Sequence, residues 1–336
     1  MADTPKELSP PVTARRWALG RPGVLPLLGL VALAALAVFP LVEPPIFYLR
    51  LLATVFLFAT LAQSWNILGG YTGYVSFGHV TFFGLGAYTA ALLFRELGWP
   101  PYVAAVPAGL VAGLFAVVVG YPTLRLRGPY FGIATLALSF VVQLAIANVP
   151  WTGAGEGIVV RGGLPFRRLA LEQFFYYAYL ALLLLTTLAV GVLERSKLGY
   201  GLQAIRDDED AALSVGVPAT RLKLLAFGLS SFFAGAAGCF YVHQASFASP
   251  PDVFTLGISI KALVYAMVGG AGTLLGPLVG AALMELVNMA LTTSPLGTYG
   301  IDRIVFGALL IIVVLAAPGG IVGLARRRLP GPWRPR

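Results

Sequence analysis

The chain has 336 residues, 58% of them hydrophobic and only 11% charged, against roughly a quarter charged in ordinary soluble domains. A net charge of +9 in a soluble protein would raise the question of nucleic acid, but here the basic residues sit in short loops between long apolar runs. That pattern excludes a soluble nucleic-acid binder and points to a polytopic membrane protein whose surplus charge meets anionic lipid.

Residues 1–20 read as an N-terminal tail. Arg15 and Arg16 faintly resemble a twin-arginine signal, but the apolar stretch from Leu25 to Val42 is long and lacks a small-residue cleavage site, so it is read as a retained span. About ten crossings are expected, near 23–42, 46–68, 79–95, 101–121, 129–148, 173–193, 223–245, 254–270, 272–293 and 301–317. They make one all-α membrane helix bundle over 21–325, followed by a basic tail, 326–336.

An even number of crossings places both termini on one side. Arg125 and Arg127, the segment 195–222 and Arg326 to Arg328 then all lie in the cytoplasm, as the positive-inside bias requires. Arg161, Arg167 and Arg168 fall outside together with Glu156 and Glu172. The external connection from Pro150 to Glu172 contains WTGAGEGIVVRGG, suited to an ordered loop with a short strand over Ile158 to Val160. It reads either as a cover or partner contact, or as a solvated linker.

Glycine-rich stretches occur twice. Leu68-Gly69-Gly70-Tyr71-Thr72-Gly73 and Val268-Gly269-Gly270-Ala271-Gly272-Thr273 each follow one apolar run and lead into another. Paired interruptions of this kind point to broken or re-entrant helices at a solute path. Close helix packing through small residues is the competing reading, and it is favoured for Gly84, Gly86, Gly235 and Gly238. Along the candidate path the residues singled out are Gly70, Tyr71, Ser76, His79, Lys261, Gly269, Gly270 and Glu285. His79 reads as lining the path or capping a new helix. Arg50 is read as reaching the membrane interface, Lys261 as path lining, interfacial or at a helix end, and Glu285 with Asn288 as a polar seam. Gln63 and Asn66 read as bridges between helices.

The segment Ser196 to Thr220 reads SKLGYGLQAIRDDEDAALSVGVPAT. Leu202, Ile205, Ala212 and Leu213 fall largely on one side at helical spacing, and Gly216 with Pro218 is a stop signal. A helix meant to lie on anionic lipid would be rich in Lys and Arg; the run Asp207 to Asp210 points to a protein instead. No GxxxxGK[ST] sequence is present, so ATP hydrolysis would belong to another chain. His79 and His243 lie on different segments without carboxylates at ligand spacing, so no metal site is expected. Cys239, the only cysteine, excludes an intrachain disulfide and reads as a small buried hydrophobe. No catalytic constellation is visible.

Asp210-Ala211-Ala212-Leu213-Ser214-Val215-Gly216 resembles the EAAxxxG loop of ATP-binding-cassette importer permeases, with Asp for the leading Glu. The flanking RSKLGYGLQAIRDDEDAALSVGV, with KLLAFGLSSFFAGAAG, GYTGYVSFGHVTFFGLGAYTAAL, RLRGPYFGIATLAL and APGGIVGL, is similar to branched-chain amino-acid importer permeases of the LivM type over about residues 45 to 325. The resemblance implies a multi-pass permease of a prokaryotic cytoplasmic (inner) membrane that moves leucine, isoleucine or valine. It implies a second, LivH-like permease, two ATPase subunits that bind ATP and magnesium, and an external solute-binding protein. It also implies that Gly199, Arg206, Glu209, Asp210, Ala211, Ala212 and Gly216 couple the chain to an ATPase. The same family serves urea, short amides and some aromatic acids. An ion-coupled transporter working alone would need acids deep in the bundle, for which Glu285 is the candidate.

Overall fold

A computed structural model describes residues 24–161 and 168–293, together with 304, 307, 308, 320 and 321. The expected crossing at 301–317 and the two tails lie outside or largely outside these residues. The chain divides at Pro44 into two compact units. The first contains helix α1 (Val24–Val38), continued by a 3-10 turn (Phe39–Val42).

The second unit is a helix bundle. Its long members are α2 (Ile46–Thr72), α3 (His79–Leu97), α4 (Pro101–Thr123), α5 (Pro129–Asn148) and α6 (Arg168–Glu194). Two short helices follow, α7 (Lys197–Asp207) and α8 (Glu209–Ser214), and then the long α9 (Ala219–Ala245). The one-turn α10 (Pro250–Val253), α11 (Leu256–Gly269) and α12 (Gly276–Thr292) complete it. Strand β1 (Ile158–Val159) pairs antiparallel with β2 (Phe247–Ala248), Ile158 opposite Ala248, so the strand expected between Pro150 and Glu172 forms and finds its partner at the end of α9.

Among the described residues, seven stretches are long and apolar enough to cross a membrane: α2 to α6 (Leu169–Glu194 within α6), α9, and Pro250–Gly269. The apolar stretches Val31–Val42 and Gly276–Thr292 are shorter. The chain is thus an all-α polytopic membrane bundle, and the expected boundaries of α2 to α5 are met at their starts.

The core is built by close approach of α3, α4 and α9. A Cβ added to Gly86 on α3 would overlap the backbone of Gly235 on α9, and one added to Gly235 would press on Ala112 of α4. Lipid is as apolar as a leucine side chain, so helices in a membrane hold together through packing of this kind rather than hydrophobic exclusion. Phe82 and Phe227 fill the same interface, their rings edge to face at 5.0 Å.

Candidate functional site

Both glycine-rich stretches lead into breaks, the first at a shifted position. The α2 helix does not bend at Gly69 and Gly70; it runs through them and Tyr71 to Thr72, with Thr72 Oγ1 donating to the Leu68 carbonyl. Gly73 ends it, at φ 76, a left-handed conformation that glycine adopts without steric cost. The break therefore lies at 73–78, and the glycines before it serve packing: a Cβ on Gly70 would press on the Gly272 amide. The second break falls as expected after Gly269, with Gly270 and Gly272 at φ 125 and 79.

The second break meets the last turns of α2. Asn66 on α2 accepts from the Gly272 amide (2.7 Å) and donates to the Thr273 carbonyl (3.0 Å), while Gln63 donates to the Leu274 carbonyl (3.0 Å). These are the amide bridges expected, though they grip a turn rather than a neighbouring helix. Gly320, from the APGGIVGL ending, packs on the backbone of Gly270.

In the first break, alternate residues face opposite ways. Tyr74 and Ser76 are buried, whereas Gly73, Val75 and Phe77 line a cavity of about 450 Å³ with Pro129, Gly132 and Ile133 at the start of α5. Its backbone is partly satisfied by side chains: Trp65 Nε1 donates to the Ser76 carbonyl (2.9 Å), and the Phe77 amide donates to Thr135 Oγ1 (3.1 Å). Irregular backbone among apolar helices persists only where it is buried in protein or faces a cavity. His79 is the first residue of α3 and is not its cap, which is Gly78. The His79 Nε2 lies 3.0 Å from Ser230 Oγ, which donates to the Ser64 carbonyl, and the next amide, Val80, donates to Ser259 Oγ. Four helices thus converge on one buried polar layer.

Lys261, Glu285 and Asn288 also come together. Lys261 Nζ sits 3.5 Å from Glu285 Oε2 and 4.6 Å from the Phe58 ring centroid; Tyr265 and Asn288 hydrogen-bond the same carboxylate. Glu285 borders a second cavity, about 380 Å³, with Arg50, Ile46, Phe47, Leu51 and Met289. Arg50 is held by the buried Glu172 at 2.5 Å rather than by an interface alone.

The acidic segment departs from the expected single helix. Asp208 breaks it, leaving the helical region and capping α8 by accepting from the Asp210 and Ala211 amides, as Asp does at N-caps. Leu202, Ile205 and Ala212 are buried as expected, but Leu213 is exposed with Val215, because the break rotates the second half. Gly199 is buried; a Cβ there would overlap the Leu193 carbonyl. Ala211 and Gly216 are exposed, the latter at φ 87.

The charged residues of this segment bind the bundle itself. Arg206 Nη1 donates to the Gly70 carbonyl at 2.6 Å, a free C-terminal carbonyl of α2 where a cation also suits the helix dipole. Its guanidinium lies against Gly272, so a side chain there would displace it. Glu209 pairs with the buried Lys223 at 2.7 Å and accepts from Tyr74 Oη at 2.6 Å; Lys223 also donates to Tyr74 Oη (2.9 Å) and to the Leu124 carbonyl (3.2 Å). Asp210 takes a bidentate pair from Arg127, at 2.9 and 2.8 Å. Tyr74, Lys223 and Arg127 were not singled out as site residues from the sequence. Lys223 opens an apolar run, where a lysine reads as an interface anchor, and only the fold turns it inward.

Burial alone would push the Glu209 carboxyl up, but hydrogen bonds from Lys223 and Tyr74 and the charges of Lys223 and Arg127 outweigh it and hold the pKa below the ordinary value. The Asp210 carboxyl is likewise held down, by Arg127. A depressed carboxyl adds stability that is complete above its unfolded pKa and is lost as pH falls through the folded one. Thermal stability of the purified protein should therefore drop on acidification through and below the ordinary carboxylate range, and Glu209→Gln should flatten that part of the profile. An unchanged profile in the variant would refute the linkage.

A multi-pass bundle with paired helix breaks and a charged segment tied to both of them is the architecture of a membrane permease. Residues 47–314 match the family model described as branched-chain amino acid transport system / permease component, and the chain belongs to that family. It is 31% identical over 299 residues to the high-affinity branched-chain amino acid transport system permease protein LivM of Salmonella typhimurium, covering 81% of this chain and 69% of that protein. LivH of Escherichia coli K12 is 24% identical over 288 residues, 79% of this chain and 91% of its own length. The fructose import permease protein FrcC of Rhizobium meliloti is 29% identical over 232 residues, covering 65% and 62%. No solved structure matches.

Proposed function

We propose that the chain is the LivM-like permease subunit of an ATP-binding-cassette importer that carries branched-chain amino acids inward by alternating access. The observation that carries this reading is the segment α7–α8. It joins a motif similar to the EAA loop to an exposed apolar surface, Leu213 and Val215, beside the exposed Ala211 and Gly216. On this reading that surface docks on an ATPase subunit, which binds ATP and magnesium. Arg125, Arg127, Arg195 and Lys197 support a cytoplasmic place for this end of the bundle by the positive-inside bias, and an even number of crossings would bring both termini to the same side. The β1–β2 pair then faces the solute-binding protein, and a second, LivH-like permease completes the membrane part.

Relatives that carry branched-chain amino acids favour those solutes over fructose. The cavity lined by Ile46, Phe47, Leu51 and Met289 supports the choice, since that apolar wall suits an aliphatic side chain. An ion-coupled transporter would need a free deep acid, whereas both Glu285 oxygens already meet Tyr265, Asn288 and Lys261.

Purification through a tag on this chain is expected to bring down a second permease and ATPase subunits, and proteoliposomes of the complex with the binding protein should take up labelled leucine only with ATP. Leucine uptake driven by an ion gradient, in the absence of any ATPase subunit, would overturn the proposal.

A further inference from the structure

We infer that Tyr74, Lys223 and Arg206 form a latch that transmits movement of the α7–α8 segment into both helix breaks. The inference rests on the reading of this chain as an ATPase-driven permease. It assigns a role to residues outside the docking surface, and it gives Arg206 and Glu209 a job different from touching the ATPase.

The first half of the latch is a closed polar cluster. Lys223 has three donors, and three acceptors meet them: Glu209 Oε1, Tyr74 Oη and the Leu124 carbonyl. The other Glu209 oxygen accepts from Tyr74. The Lys223 side chain is only 3% exposed and Glu209 16%, so separating them would leave a buried charge without its partner. Four pieces of chain are thereby joined: α8 through Glu209, the start of α9 through Lys223, the end of α4 through Leu124, and the first break through Tyr74.

The second half is Arg206. It holds the last turn of α2, just before the first break, at the Gly70 carbonyl while its guanidinium rests on Gly272 of the second break, so one side chain touches both segments. A shift of α7 cannot leave the last turn of α2 in place without giving up this hydrogen bond.

From Tyr74 the connection continues by packing. Its ring meets Phe131 of α5 at 5.3 Å, Phe131 meets Phe227 of α9 at 6.1 Å, and Phe227 meets Phe82 of α3. Ser230, the partner of His79, follows Lys223 by two turns of α9, about 10 Å at 1.5 Å per residue. The latch thus lies under the buried layer where α2, α3, α9 and α11 converge, and beside the cavity lined by Val75 and Phe77. Contiguous packed and hydrogen-bonded groups of this kind are the physical means by which coupling crosses a protein.

The test uses the complete importer, purified through this chain and reconstituted with labelled L-leucine. Tyr74→Phe removes one hydroxyl from the cluster and keeps the ring stack. Arg206→Gln keeps a donor and loses the charge and the reach. Each variant should assemble with the ATPase and hydrolyse ATP, while leucine moved per ATP falls about fivefold or more, the scale of a coupling free energy between sites. The exchanged pair Glu209→Lys with Lys223→Glu should recover part of the ratio lost in either single change. A wild-type ratio in both Tyr74→Phe and Arg206→Gln would overturn the latch and leave the importer reading intact. A wild-type complex that shows no ATP-driven uptake would instead remove that reading, and the latch with it.

Discussion

Gly86→Leu should abolish the folded protein in the membrane. The added side chain would have to enter the backbone of Gly235, which is itself closed off by Ala112 and the Ala108 carbonyl, so α3 could only move away from both α9 and α4. Overpacking a tight core typically costs about 1–3 kcal/mol, and more where backbone rather than a mobile side chain is in the way. Set against a total stability of about 5–15 kcal/mol, and with packing the main force between membrane helices, such a loss leaves little folded material. The measurement is the yield of monodisperse protein in mild detergent. Leu188→Ala, at a 64% exposed position, is the control and should change little. A normal yield of Gly86→Leu would show that α3 and α9 are not in backbone contact.

Ala211→Trp should have the opposite character, leaving the fold and removing the function. Ala211 is exposed at the first turn of α8, and neither its neighbours nor the Asp208 cap require a small side chain there. On the proposed reading it is the partner that requires one. A bulky group at the centre of a docking surface costs about 2 kcal/mol or more, roughly thirtyfold in affinity. Leucine uptake and co-elution of the ATPase should fall together while the yield of the permease stays normal. Full uptake by Ala211→Trp would sink the assignment of α8 as the docking helix.

The sites of these two substitutions were legible to different degrees. The small residues on α3 and α9 read as packing positions because glycine is a poor choice for a helix unless another backbone needs the space. The acidic segment stood out because its charge is wrong for lipid. Its outward and inward faces were not legible, since the Asp208 break rotates α8 relative to α7 and exposes Leu213. Side-chain capping by one residue defeated a periodicity argument that held for Leu202 and Ile205 before it.

The helix breaks show the same division. Glycine repeats marked both regions, but glycine is permissive rather than directive, and α2 continued through Gly69 and Gly70 because its hydrogen bonds and the packing on Gly272 were available.

Composition and hydropathy thus determined by themselves that this is a membrane bundle of apolar helices, where most of them begin, and that one acidic segment differs in kind from the rest. These properties follow from transfer of local stretches of chain into lipid, which depends on little beyond their own residues. Tertiary structure decided which groups meet: the two glycine-rich stretches at Gly70 and Gly272, Arg206 with Gly70, Glu209 with Lys223 and Tyr74, and Lys261 with Glu285. Partners separated by as many as about two hundred residues are chosen by the packing of whole helices, and no local pattern in the sequence encodes that choice.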